Sequence, residues 1–176
     1  MNKNTRRVAV GGMMAALATA VLLLGGAIPA ATFVGPAVAG LMLVPVLLEG
    51  GQRMALGAWI AVSALSLMLC ADKEAALLFA FLGWYPAVKP RLDARLRGWR
   101  GVPVKLALWN ACAGAMATLI ILVLRMDQVI AEYREMGRAI LIAFVLLANV
   151  TLLLYDRLLG VMAAVYLRKL RPKLFR

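Results

Sequence analysis

Val8-Ala9-Val10-Gly11-Gly12-Met13-Met14-Ala15-Ala16-Leu17-Ala18-Thr19-Ala20-Val21-Leu22-Leu23-Leu24 carries no charge, and its reading decides the fold. Lys3, Arg6 and Arg7 precede the run and Gly25-Gly26 follow it. A basic start, an apolar stretch and Ala-rich sequence also describe a secretory signal. However, an h-region holds only about 7–15 residues, and here further apolar segments follow at once. The run therefore reads as a retained first membrane helix.

The rest of the chain agrees with that reading. Of 176 residues, 64% are hydrophobic and 16% charged, with mean hydropathy +0.88. A soluble domain is nearer half apolar and a quarter charged, and one this small could not bury so much apolar surface. Lipid removes that constraint. At roughly 20 residues per span, the length suits an all-α single transmembrane domain of about six helices. They are expected at about 7–25, 34–48, 54–70, 73–88, 104–124 and 136–170.

Local signals place the joints. Gly25 to Thr32 is rich in Gly, Pro and Ala and reads as a non-helical connection. Pro36 falls in the first turn of the second span, where proline is tolerated, and Pro45 is placed to kink its far end. Glu49-Gly50-Gly51-Gln52-Arg53 reads as a tight turn. Asp72 is placed to cap the fourth span, Lys89 to Gly101 forms a basic linker, and Pro172 is expected to stop the sixth.

Charge then gives direction. With the N-terminus inside, fifteen of the twenty lysines and arginines fall on cytoplasmic segments. Lys73, Arg125, Arg134 and Arg138 fall outside, and Arg157 lies within the sixth span. Among the acids, Asp72, Glu74, Asp127, Glu132 and Glu135 lie outside, while Glu49 and Asp93 lie inside. Lys/Arg bias sets orientation, and the alternation works only for an even number of spans, so both termini are expected in the cytoplasm. The net charge of +12 sits in short blocks between apolar runs. It suits a basic face against anionic lipid, not a nucleic-acid groove.

Polar groups inside apolar spans are expensive, so their positions carry information. Arg138, Asn149 and Asp156 are 11 and 7 residues apart and share one helix face at about 100° per residue. They read either as end anchors plus interhelical glue or as a ligand or coupling stripe. Trp59, Ser63, Ser66 and Cys70 make a second stripe, suited to close packing or to the wall of a small cavity. On the first span Gly12, Ala16 and Ala20 form a row of small residues that lets another helix approach closely. Cys70 and Cys112 lie in apolar runs and read as packing residues.

Several chemistries are excluded. Without histidine there is no Ser-His-Asp or Cys-His site and no His-ligated metal. No phosphate-binding G-x-x-x-x-G-K-[ST] loop is present, so the chain does not power transport through one. No carboxylate pair is placed for acid–base work. The chain reads as a non-enzyme without a cofactor or metal.

Asn4-Thr5-Arg6-Arg7-Val8-Ala9 followed by an Ala-rich helix, with six spans and cytoplasmic termini, resembles the S components of energy-coupling factor (ECF) transporters. Ala16-Leu17-Ala18-Thr19-Ala20 matches the family's Ala-x-x-x-Ala motif, and Gly12-Met13-Met14-Ala15-Ala16 is a glycine-substituted version one turn earlier. The resemblance implies a bacterial membrane protein that captures a vitamin or other micronutrient outside the cell. Its partners would be a transmembrane T component, met by Gly12, Ala16 and Ala20, and two ATPase subunits. The Gly25–Gly35 connection would be a lid, and the turns around Asp72 and Asp127 the mouth of a pocket. Thr32, Ser63, Ser66, Asp72 and Asn149 are the candidate substrate-binding residues. Two other functions fit the same residues: a non-transporting scaffold or assembly protein, and a small autonomous permease.

Overall fold

A computed structural model describes residues 3–25, 32–96, 101–124, 131, 135 and 137–174. Helices account for nearly all of them, and no strand occurs among the described residues. In chain order they are α1 (Lys3–Gly25), α2 (Val34–Leu69), α3 (Lys73–Leu82), α4 (Tyr85–Arg95), α5 (Gly101–Thr118) and α6 (Arg138–Val165). A π-helical turn, Leu119–Leu124, extends α5; a second, Tyr166–Leu170, and a final helical turn, Arg171–Leu174, extend α6.

Among the described residues, four helical stretches are long and apolar enough to cross a membrane: Thr5–Gly25, Val34–Leu69, Gly101–Leu124 and Arg138–Leu170. Their surfaces suit lipid. Leu24, Met68, Leu122 and Leu146 are all more than 60% exposed, which water would penalise and hydrocarbon does not.

The 36 residues of α2 are two arms. Gly51 stands between them with φ 80° and ψ 177°, a conformation reserved almost wholly for glycine. Val46 packs with Ala55, and Ala39 and Leu43 with Val62, pairings centred near Gly51. The arms therefore lie side by side as a hairpin. The turn expected from Glu49 to Arg53 is this single backbone break, with helical residues on both sides.

α1 lies along the hairpin. Ala18 and Leu22 join Ala39, Leu43, Val62, Cys70, Ala76 and Phe79 in one closed cluster. Small residues let α1 approach, since a Cβ on Gly11 would press on the Met54 side chain. The second arm presents Ala55, Val62, Ser63, Ser66 and Cys70 inward, which is the packing face of the stripe seen in the sequence.

The helix expected over 73–88 is broken. Asp72 caps α3 by accepting from Ala75 N at 3.0 Å, an interaction worth about 1 kcal/mol. α3 ends at Leu82, and Gly83 and Trp84 separate it from α4. Pro86 supplies the reason: without an N–H it cannot bond back to Leu82, and its ring crowds that carbonyl. Proline is accommodated instead in the first turn of α4. That helix continues through Pro90 to Arg95, so residues 89–95 are helical where a linker was expected.

α6 likewise outruns its expected end at Leu170. The wide turn over Tyr166–Leu170 precedes Pro172, and helix persists to Leu174. Arg171 N–H bonds to Tyr166 O, five residues back, a spacing that makes room for the proline ring.

Candidate functional site

Three groups of polar side chains join the helices of the bundle. Near the α2–α3 junction, Thr32 Oγ1 donates to Asp72 Oδ2 at 2.7 Å. The Asp72 carboxylate thus caps α3 with one oxygen and holds Thr32, two residues before α2, with the other. Lys73 Nζ donates to Leu67 O at 2.8 Å, closing the same turn. Deeper in the second arm, Ser66 is fully buried and donates to Ser63 O at 3.1 Å. The Ser63 hydroxyl is buried without a hydrogen-bond partner among the described residues. Both serines are buried on the arm whose Val62 and Cys70 join the closed apolar cluster with Ala76 and Phe79.

Asn149 does not join them. Its amide pairs with Asn110 of α5: Asn110 Nδ2 donates to Asn149 Oδ1 at 2.7 Å, and Asn149 Nδ2 donates to Val145 O at 2.8 Å. Thr32 and Asp72 are therefore brought together, Ser63 and Ser66 form a separate buried pair, and Asn149 lies on another helix pair. The segment 26–31 and Asp127, expected as lid and mouth, lie outside the described residues.

The second group is a ring of alternating charge that joins α4, α5 and α6. Lys89 Nζ lies 2.6 Å from Asp156 Oδ1 and 2.8 Å from Asp93 Oδ2. Lys105 Nζ lies 2.9 Å from Asp156 Oδ2 and 2.5 Å from Asp93 Oδ1. Each carboxylate gives one oxygen to each lysine, so the four charges cancel within a closed circuit. Tyr85 adds a hydrogen bond from its hydroxyl to Asp156 Oδ1 at 2.5 Å, and its ring meets Trp109 edge-on at 4.8 Å. Both aromatics are 1% exposed. Lone charges would be costly here, but each has an opposite partner on both sides.

Asp93 is the ring's most accessible member. Burial works to raise its carboxyl pKa, but hydrogen bonds from Lys105 and Lys89 outweigh it and hold the group below the usual carboxylate range.

Sequence reading placed Lys89, Asp93 and Lys105 among interfacial cations and loop acids and missed the ring. A partial signal was present: Lys89 and Asp93 are spaced i, i+4, and Lys105 and Asp156 each interrupt an apolar helix.

A third polar cluster ties the helix ends. The Glu49 side chain, 8% exposed, receives Arg171 Nε at 2.9 Å and faces Arg6 at 3.9 Å, with the Tyr166 hydroxyl at 3.5 Å. Tyr166 follows Asp156 by ten residues, about 15 Å along a helix, so this cluster and the ring lie at different depths.

The small-residue row of α1 faces outward. Gly12, Ala16 and Ala20 are all exposed, while Gly11, Ala18, Thr19 and Leu22 face the hairpin. A Cβ on Gly12 would meet nothing within 4 Å. Cys70 and Cys112 are both free thiols.

No protein-family model, no curated protein and no solved structure matches this chain.

Proposed function

We propose that the chain is the substrate-capturing membrane subunit of an ECF-type importer for a vitamin or other small micronutrient, working with a transmembrane T component and two ATPases. The observation that carries this reading is the outward face of α1. Gly12, Ala16 and Ala20 are left uncovered by the bundle, although close approach is what such a row provides. A bundle that needed them only for its own packing would have turned them inward.

The charge pattern supports a bacterial cell-membrane location with six spans and cytoplasmic termini. On this reading the Glu49 cluster marks the cytoplasmic end, where exposed Arg53, Arg91, Arg95 and Lys169 face anionic lipid. The Thr32–Asp72 bond then ties the α1–α2 connection to the outer end of the bundle, where a lid belongs.

The burial of Ser63 and Ser66 favours a second reading, a non-transporting scaffold that uses the same α1 face. Reconstitution separates the alternatives. Vesicles holding the chain, a T component and both ATPases should accumulate a labelled vitamin with ATP, and vesicles holding the chain alone should not. Uptake by the chain alone would make it a permease. Assembly without uptake across a vitamin panel would make it a scaffold.

A further inference from the structure

α6 is attached to the bundle in an unusual way. Within Arg138–Val165 only Leu159 is buried, and none of its most apolar window lies inside the protein. In water those faces would drive the helix onto its neighbours, but lipid is as apolar as leucine and supplies no such drive. Attachment in a bilayer therefore rests on specific contacts. From the end near Arg138 these are the Phe144 ring against Phe33 at 5.7 Å, the Asn149–Asn110 pair, the Asp156 ring, the apolar cluster in which Leu159, Leu152 and Met162 pack with Val44, Tyr85 and Trp109, and the Glu49 cluster.

Asp156 is the only ring member that α6 contributes. Without it, Lys89, Asp93 and Lys105 remain linked to one another. The preceding residue, Tyr155, seats in a notch at Gly40, where any Cβ would collide with the tyrosine hydroxyl and where Pro86 forms another wall. Tyr155 and Asp156 are adjacent, so the seat at Gly40 and the ring lie at the same level of α6.

We propose that the Asp156 ring is a latch, and that its release lets α6 swing away from α4 and α5 about the Glu49–Tyr166–Arg171 cluster. The inference needs the membrane location but not the capture function, so the failure of one leaves the other standing. The latch is a discrete contact of charges in a medium that resists their separation, so α6 has a closed state with the circuit complete and an open one with Asp156 withdrawn.

The test uses the full chain in lipid nanodiscs, with Cys70 and Cys112 replaced by alanine. Spin labels go on Leu141→Cys in α6 and Met68→Cys in α2, both exposed positions. Pulsed electron resonance should give one principal distance. Asp156→Asn should add a second, longer one. Asp156→Asn combined with Lys89→Met leaves Lys105 and Asp93 as a neutral pair, and the longer distance should persist because the link to α6 is still missing. Gly40→Leu keeps every charge but unseats Tyr155, and should also lengthen the distance. Return of the double variant to the single short distance would overturn the latch, since charge imbalance alone would explain the first result. An unchanged distance in Asp156→Asn would overturn it too. Should Asp156→Asn fail to insert, Gly40→Leu carries the test, and an unchanged distance there is equally fatal.

Discussion

Lys105 Nζ bridges Asp156 and Asp93, donating to the first at 2.9 Å and the second at 2.5 Å, although Asp156 is 51 residues away in sequence. That one ammonium joins α5 to both α4 and α6. Removing one partner from a buried ion pair costs about 3–5 kcal/mol, because the remaining charge is left uncompensated. Lys105→Met should lower the thermal midpoint in detergent clearly, and adding Asp93→Asn should recover part of the loss by restoring neutrality. Equal midpoints for wild type and Lys105→Met would show that the ring contributes nothing to stability.

Asp93 gives the ring a pH dependence with a defined sign. Its carboxyl is held below the usual range in the folded chain, so its contribution is present above the unfolded value, near 3.9. That contribution is lost as pH falls through the lower folded value. Thermal midpoints measured downward from pH 6 should therefore decline in the acid range, and Asp93→Asn should make the decline shallower. An identical profile for the variant would detach Asp93 from the effect.

Gly51 tests the hairpin. Its φ of 80° with ψ near 180° is costly for any side chain, by about 1–3 kcal/mol. Nothing lies within 4 Å of a Cβ there, so Gly51→Ala isolates backbone strain from crowding. The alanine variant should melt earlier, while Gly57→Ala, inside the second arm, should not.

Gly12 separates a partner contact from internal packing. Gly12→Leu should leave the melting of the isolated chain within about 0.5 kcal/mol, as exposed substitutions do. It should weaken assembly with a T component in pull-down experiments. A destabilised isolated chain would mean that the row serves the bundle itself.

Ser63 distinguishes a packing hydroxyl from a ligand contact. Its buried oxygen has no partner among the described residues, so Ser63→Ala should leave stability unchanged or raise it by about 1 kcal/mol. On the capture reading the same variant should release bound ligand more readily, as judged by ligand retention during purification. Unaltered retention would remove Ser63 from the site.

What the sequence made legible was whatever depends on local pattern. Apolar runs bounded by Arg7, Gly25 and Arg138 marked long helices, because hydropathy is a property of each segment alone. Asp72 announced a cap through its place before an apolar stretch, and the Trp59–Ser63–Ser66–Cys70 period announced an inward face. The break at Gly83 was harder to see, since Pro86 is compatible both with a kink and with a fresh helix start. The charge ring was hidden for a different reason. Lys89 and Asp93 look interfacial on α4, and Lys105 looks like the edge of a span. Only the approach of Asp156 on a distant helix turns them into a closed circuit. Asn149 was singled out, but its partner Asn110 could not be read from spacing, because the two belong to different helices.

The most direct test of the central claim is affinity purification of the full chain from bacterial membranes that also contain an ECF T component and its ATPases, with mass spectrometry of everything that co-elutes. The capture account predicts stoichiometric recovery of all three partner subunits together with one bound micronutrient. Recovery of the chain alone, with no partner subunit and no small molecule, would contradict it.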